Sequence, residues 1–153
     1  MKIIECKTGA LIYPLRKIED DRGWLCEIFR QDQLYPEHWP VMAYVSQTLP
    51  GVRRGPHEHR EQTDYFAFIG PGDFELYLWQ TALHCGNGRA EPTAVHEVGE
   101  SNPCAVLVPP GIVHAYKCIS ETPGLVFNAP NQLYAGPSKA YEVDEIRHEE
   151  ETV

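Results

Sequence analysis

The sequence predicts an all-β domain, a sandwich or barrel of short strands closed on itself. Three observations carry this. Thirteen prolines and twelve glycines cut the chain into short segments. Those segments are rich in Val, Ile, Tyr, Phe and Trp, the side chains that fit a pleated surface. Strands and turn signals also alternate at short spacing, as expected when many strands close on themselves.

In chain order the predicted strands are "LIYPL", "WLCEIFR", "MAYVSQTL", "TDYFAFI", "DFELYLWQ", "TAVHEV", "CAVLVP", "VHAYKCI" and "GLVFNA". Turn signals such as "IGPGD", "HCGNGRAEP", "GESNP", "VPPG" and "SETPG" separate the later ones. Within "FELYLWQ", alternation puts Phe74, Leu76 and Leu78 on one face and Glu75, Tyr77 and Trp79 on the other. One face is expected to meet the core and the other a second subunit or a pocket. "CAVLVPPGIVHAYK" reads as a buried strand, a turn at Pro110 and Gly111, and a strand presenting His114, Tyr116 and Cys118 on one face. Only "QDQLYPEHW" and the acidic tail, about residues 141–153, look able to form helical turns, and the tail is too charged to add much core. There is no internal repeat or linker, so residues 1–153 read as one domain with its core at about 20–134.

At 153 residues the chain can bury a proper core without staples. Its 22 acidic and 13 basic residues give a net charge of −9, which disfavours nucleic acid or an anionic membrane as the main partner. No run of about 18 apolar residues spans a bilayer, and the N-terminus lacks a signal-peptide core, so the expectation is a soluble cytoplasmic protein. The five cysteines, an odd number without a CxxC pair, read as reduced and structural.

Chemistry concentrates in "GVRRGPHEHREQTDYF", residues 51–66. If the segment is extended, His57 and His59 project from one face of a strand. Gln62 and Asp64 follow close by, and His114 follows the tight turn of "PPGIVH". His38, His84, His96 and His148 lie in contexts that read as exposed or structural. Most tyrosines and tryptophans read as packing, except Tyr116 and Tyr134, which the strand reading places near the pocket. Asn128 is a candidate pocket amide opposite in parity to Phe127, so one of the two faces inward.

A glycine, five residues, then HxH and an acidic position resembles the first signature of the cupins, and "PPGIVH" resembles the second, PxGxxH. The resemblance implies a double-stranded β-helix, or jelly roll, with its pocket in the barrel mouth. More closely, "DDRGWLCEIF", "GVRRGPH" and "PPGIVHAY" resemble the DxRGxxxExF, GVxRGxH and PxGxxHGF segments of the dTDP-4-dehydrorhamnose 3,5-epimerase family, over about residues 20–134. That likeness implies an epimerase or isomerase of a nucleotide-linked (dTDP-type) 4-keto-6-deoxysugar in cell-surface polysaccharide synthesis. It implies His57 as general base, Arg22, Glu27 and Arg54 as contacts to the sugar or the diphosphate, no required cofactor, and a homodimer formed by strand exchange.

Three positions depart from that family. Its QxK after the catalytic histidine is "QTD" here, so Asp64 replaces a lysine; its catalytic tyrosine position, thirteen after His114, is Phe127; and its late aspartate has no clear match in "YEVDEIRHEE". "HEHREQTDYF" and "VFNAP" instead resemble a divergent subgroup. His57, His59 and Tyr134 are therefore the candidate acid/base groups, with Tyr134 standing in for the missing acid. Gln62, Asp64, His114, Tyr116 and Asn128 are further substrate contacts. Two alternatives stay open: a metal-dependent cupin holding Fe, Mn, Ni or Zn on His57, His59, Asp64 and His114, and a sugar-binding cupin without catalysis.

Overall fold

The computed structural model describes residues 2–149. Thirteen strands are present among them: β1 (Ile4–Glu5), β2 (Leu11–Pro14), β3 (Lys17–Asp20), β4 (Gly23–Cys26), β5 (Tyr44–Thr48), β6 (Arg53–Glu58) and β7 (Asp64–Phe68). The later ones are β8 (Asp73–Trp79), β9 (Ala94–Gly99), β10 (Cys104–Val108), β11 (Val113–Cys118), β12 (Gly124–Asn128) and β13 (Ile146–Arg147). They form a six-stranded sheet in the order β1-β2-β10-β7-β12-β5, a five-stranded sheet in the order β13-β6-β11-β8-β9, and a separate hairpin β3-β4. The all-β class expected from the segment pattern, and the jelly roll that the cupin resemblance implied, are the observed architecture.

The core lies between the two large sheets because alternation directs one face of each inward. Phe66 and Phe68 of β7, Val106 and Val108 of β10, and Val126 of β12 meet Phe74, Leu76 and Leu78 of β8 and Tyr116 and Cys118 of β11. The predicted parities hold: Phe74, Leu76 and Leu78 are fully buried, as are His114, Tyr116 and Cys118. Asn128 is buried while Phe127 is only partly so.

Both sheets are also covered on their outer faces, by the chain itself. Leu34 and Phe29 pack on Tyr65, Ala105 and Leu107, while Cys85 packs on Trp79, Val113 and Ala115. Trp79 donates its indole N–H to the Ala90 carbonyl at 3.0 Å. The loop after β8 thus covers the Trp79 end of the outer face of "FELYLWQ", while Glu75 and Tyr77 stay partly exposed. "QDQLYPEHW" forms two short 3-10 turns, Gln31–Gln33 and Pro36–His38.

Two segments differ from expectation. "WLCEIFR" is a strand only over its first three residues, Trp24 to Cys26 of β4, because the sole partner of β4 is the four-residue β3. The tail is extended instead of helical as far as Glu149, with β13 pairing to β6 through Ile146↔Glu58 and Arg147↔His57; its last four residues lie outside the described range. A helix there would stack Glu142, Glu145 and Glu149 on one face, where like charges repel. The extended form half-buries Ile146 and satisfies the edge of β6.

Strand β6 carries the feature that shapes the site. His57 pairs with His114 but Arg54 pairs with Tyr116, so three steps along β6 match two along β11. This β-bulge puts Arg54 and His57 on the same inward side despite their odd spacing. Gly55 makes it possible: its φ is +91°, and a Cβ there would stand 2.6 Å from the His114 carbonyl oxygen. Gly55→Ala is therefore expected to lower stability by about 1–3 kcal/mol, the range for a strained backbone position, measured by urea denaturation. Wild-type stability in that variant would mean that the close approach is not required.

Candidate active site

A cavity of about 850 Å³ opens between the two sheets. The inward parity of β5 brings Tyr44, Ser46 and Thr48 to it, β6 brings Arg54 and His57, and the tail segment from Tyr141 to Glu149 forms one wall. His59, Gln62, Tyr116 and Tyr134 also line it. Arg54 is held in place by Thr48 Oγ1 at 3.0 Å and the Gln47 carbonyl at 2.7 Å.

At the floor stands Asp64, the inward residue at the start of β7 and 1% exposed. Its Oδ1 accepts from Gln62 Nε2 at 2.8 Å and from Asn128 Nδ2 at 2.9 Å. Its Oδ2 lies 3.0 Å from His59 Nε2 and 3.2 Å from His114 Nε2. Those approaches lack hydrogen-bond alignment, leaving Oδ2 and His114 Nε2 buried without an aligned partner. Both rings are fixed from behind, since His114 Nδ1 donates to the Ile112 carbonyl at 2.9 Å and His59 Nδ1 donates to the Asp144 carbonyl.

Charge separates the three histidines. Burial, and then the neighbouring His114, pull the His57 pKa down to about 2, so its ring is neutral at ordinary pH. Its centroid is 4.4 Å from that of His114, and the His57 ring has no hydrogen-bond partner among the described residues. Burial also pulls at His59, but the Asp64 carboxylate and the Asp144 carbonyl outweigh it and raise the pKa to about 9. For Asp64, burial pushes upward while His114 and His59 hold the carboxyl well below the usual range. The resting site is a neutral base beside a buried anion with its cationic partner.

The structure thus gathers His57, His59, Gln62, Asp64, His114, Tyr116, Asn128 and Arg54 around one cavity. His59 lies just beyond the end of β6 and is aimed by the tail, not by strand alternation. Tyr134 reaches the rim and is 55% exposed. Arg22 and Glu27 are not brought to this cavity within the chain. Arg22 pairs with Asp20 at 2.6 Å on the exposed β3-β4 hairpin, and Glu27 pairs with Arg30 at 3.4 Å. His148, read as exposed or structural, is largely enclosed, with its ring 3.8 Å from Glu58.

Two contributors escaped the sequence reading. Asp144 accepts the backbone N–H groups of Arg60, Glu61 and Gln62 at 2.8–2.9 Å, and no spacing pattern in the charged tail marks it. Tyr44 was assigned to packing, although the alternation Tyr44, Ser46, Thr48 was a signal that it faces inward.

No protein-family model matches the chain. It is 33% identical over 115 residues to the spore coat polysaccharide biosynthesis protein SpsL of Bacillus subtilis, covering 75% of this chain and 74% of that one. It is 34% identical over 116 residues to the probable low-salt glycan biosynthesis epimerase Agl13 of Haloferax volcanii, covering 75% and 72%. In fold it matches a dTDP sugar isomerase of Desulfovibrio desulfuricans with a TM-score of 0.73 at 21% identity, over 94% of this chain and 86% of that one. The 4-keto-6-deoxy sugar epimerase NovW of Streptomyces spheroides matches with a TM-score of 0.72 at 19% identity, over 96% and 73%.

Proton linkage supplies a test of the site's charges. The His59 pKa is raised from an unfolded value near 6.5, so its stabilising contribution is fully present below about pH 6.5 and is lost as pH rises through about 9. Urea denaturation at pH 6, 8 and 9.5 is expected to show a decline of roughly 1–3 kcal/mol that His59→Gln flattens. An equal decline in that variant would assign it to another group. With the histidines and Asp64 set in a jelly-roll cavity, and with relatives above 30% identity over three quarters of its length, the chain belongs to the dTDP-4-dehydrorhamnose 3,5-epimerase-like family of sugar epimerases.

Proposed function

We propose that this enzyme epimerises or isomerises a dTDP-linked 4-keto-6-deoxysugar for surface polysaccharide synthesis, using His57 as the base. The observation that carries this is a neutral, unpartnered imidazole in the wall of a cavity large enough for a nucleotide sugar. An imidazole can take a carbon-bound proton only in its neutral form, and the enolate that forms supplies the negative charge that then holds the proton on His57. Cationic His59 and the amide of Gln62 stand beside it to offset that charge. Arg54, already oriented by Thr48 and Gln47, suits a diphosphate oxygen.

The protein is proposed to act in the cytoplasm as a homodimer. The β3-β4 hairpin, attached to neither large sheet and exposing Ile18, Trp24 and Leu25, is the element that would reach a second copy and carry Arg22 and Glu27 toward its cavity. Sedimentation showing a monodisperse monomer at micromolar concentration would count against this assembly.

A second reading follows from the backs of the rings. With both Nδ1 atoms committed to carbonyls, the Nε2 atoms of His59 and His114 converge on an unaligned carboxylate oxygen. One ligand atom from each of His57, His59, Asp64 and His114 lies within 4.8 Å of the others. These donors fit a divalent metal such as Fe, Mn, Ni or Zn. Bound there, such an ion would polarise the sugar carbonyl as a Lewis acid. Family membership favours the acid/base reading over this one and over a binding protein without catalysis.

His57→Ala is expected to abolish solvent-deuterium exchange into a dTDP-4-keto-6-deoxyhexose while leaving binding largely intact. Arg54→Ala is expected to weaken binding by about 1.5–3 kcal/mol, read by calorimetry. The metal-to-protein ratio of freshly purified wild type and Asp64→Ala, with exchange measured on the same samples, separates the two readings. Stoichiometric metal lost together with activity would overturn the acid/base mechanism.

A further inference from the structure

We infer that Tyr44 is the acid that returns a proton to the reacting carbon from the side opposite His57, an inference that rests on the epimerase reading above. Inversion needs two groups on opposite faces of the sugar, one to take the proton and one to give it. His57 sits on β6 of the five-stranded sheet, and Tyr44 sits on β5 at the edge of the six-stranded sheet. Both line the cavity between the sheets.

The hydroxyl is held as a donor. Asn128 and Tyr44 are register partners of β12 and β5, and Asn128 Nδ2 donates to Tyr44 Oη at 3.1 Å. The amide cannot turn the other way, because its Oδ1 accepts the Tyr65 backbone N–H at 3.0 Å and its Nδ2 also serves Asp64. Tyr44 therefore accepts from Asn128, and its own proton has no acceptor among the described residues. Burial pushes the hydroxyl up to about 12, so it arrives at the reaction protonated.

The other tyrosines of the cavity lack this arrangement. The Tyr116 ring is packed against Phe66, Phe68 and Phe74 in the core, with its hydroxyl 3.5 Å from Ser46 Oγ. Tyr44 is 45% exposed as a residue and Tyr134 and Tyr141 are 55% and 68% exposed, so the distinction lies in the anchor: no side chain among the described residues orients the Tyr134 or Tyr141 hydroxyl as Asn128 orients that of Tyr44. Phe127, on the strand beside Tyr44, has no proton to give. Phe127 pairs with Val45 and has the parity opposite to Asn128, whereas Tyr44 pairs with Asn128 and lines the cavity.

In the proposed step, His57 removes the proton on the carbon next to the keto group and the C–H electron pair becomes the enolate. The enolate collapses as Tyr44 delivers its hydroxyl proton to the opposite face of that carbon, leaving a tyrosinate and an imidazolium. Water carries the proton from His57 back to Tyr44 before the next turnover. No oxidant or cofactor is consumed.

The test is proton NMR of wild type, Tyr44→Phe and Tyr134→Phe acting on a dTDP-4-keto-6-deoxyhexose in D2O. Melting temperature and sugar binding are checked for each. Wild type is expected to take up deuterium and invert. Tyr44→Phe is expected to keep taking up deuterium, returned by His57 on the original face, while inversion falls by about 100-fold or more. Fluorotyrosine at position 44, which preserves shape and acidifies the hydroxyl, is expected to move the alkaline limb of the inversion rate to lower pH. Inversion at the wild-type rate in Tyr44→Phe, an unmoved alkaline limb, or loss of inversion confined to Tyr134→Phe would each overturn the assignment of Tyr44 alone. A wild-type protein that binds the sugar without exchange or inversion would overturn the epimerase reading and this inference with it.

Discussion

The carboxylate of Asp64, buried at the floor of the cavity, is the constraint on which the site depends. An ionised group taken out of water is strongly disfavoured unless charge and donors surround it. Gln62 and Asn128 satisfy one oxygen, while cationic His59 stands beside the other, with the His114 ring 3.2 Å away. The four partners come from three stretches of chain, so the carboxylate gathers β7, β11, β12 and the loop after β6 around one point. His57, the one histidine of the trio that does not touch Asp64, keeps its lone pair for chemistry.

Much of this was legible in the sequence because strand alternation has a fixed period. The inward faces of β8 and β11, and the opposition of Asn128 and Phe127, follow from a period of two, while the jelly roll was implied by the resemblance of the histidine segments to the cupins. What stayed hidden depended on departures from that period or on contacts between distant segments. The bulge at Gly55 turns Arg54 to the same side as His57, against simple alternation. The tail looked like a charged, helix-prone end, and only the folded edge of β6 reveals why it runs extended. Asp144 acts through its backbone carbonyl as well as its side chain, and a carbonyl leaves no mark on residue identity. Arg22 and Glu27 were found by motif, yet their hairpin stands clear of their own chain's cavity.

Electrostatics near the cavity also explains a global property. The chain is acidic overall, and Glu61, Glu142, Glu145 and Glu149 stand near the opening. An anionic ligand would meet an unfavourable field there unless local cations outweigh it. Arg53, Arg54 and Arg147 line the same cavity, and Arg54 is the one buttressed on two sides. Recognition of a charged group is thus confined to a small patch, which favours selection by geometry over attraction at a distance.

Gly55 carries a further lesson about the motif to which it belongs. A side chain at this position would collide with the backbone of β11 whatever His57 does, so the glycine is demanded by how two strands meet and not by the reaction. Proteins that lose catalysis but keep the barrel remain under the same demand. A search keyed on "RGPH" therefore retrieves a shared way of building a cavity, and sorting enzymes from silent relatives must rest on positions whose side chains the strand contact does not dictate, such as 44 and 127.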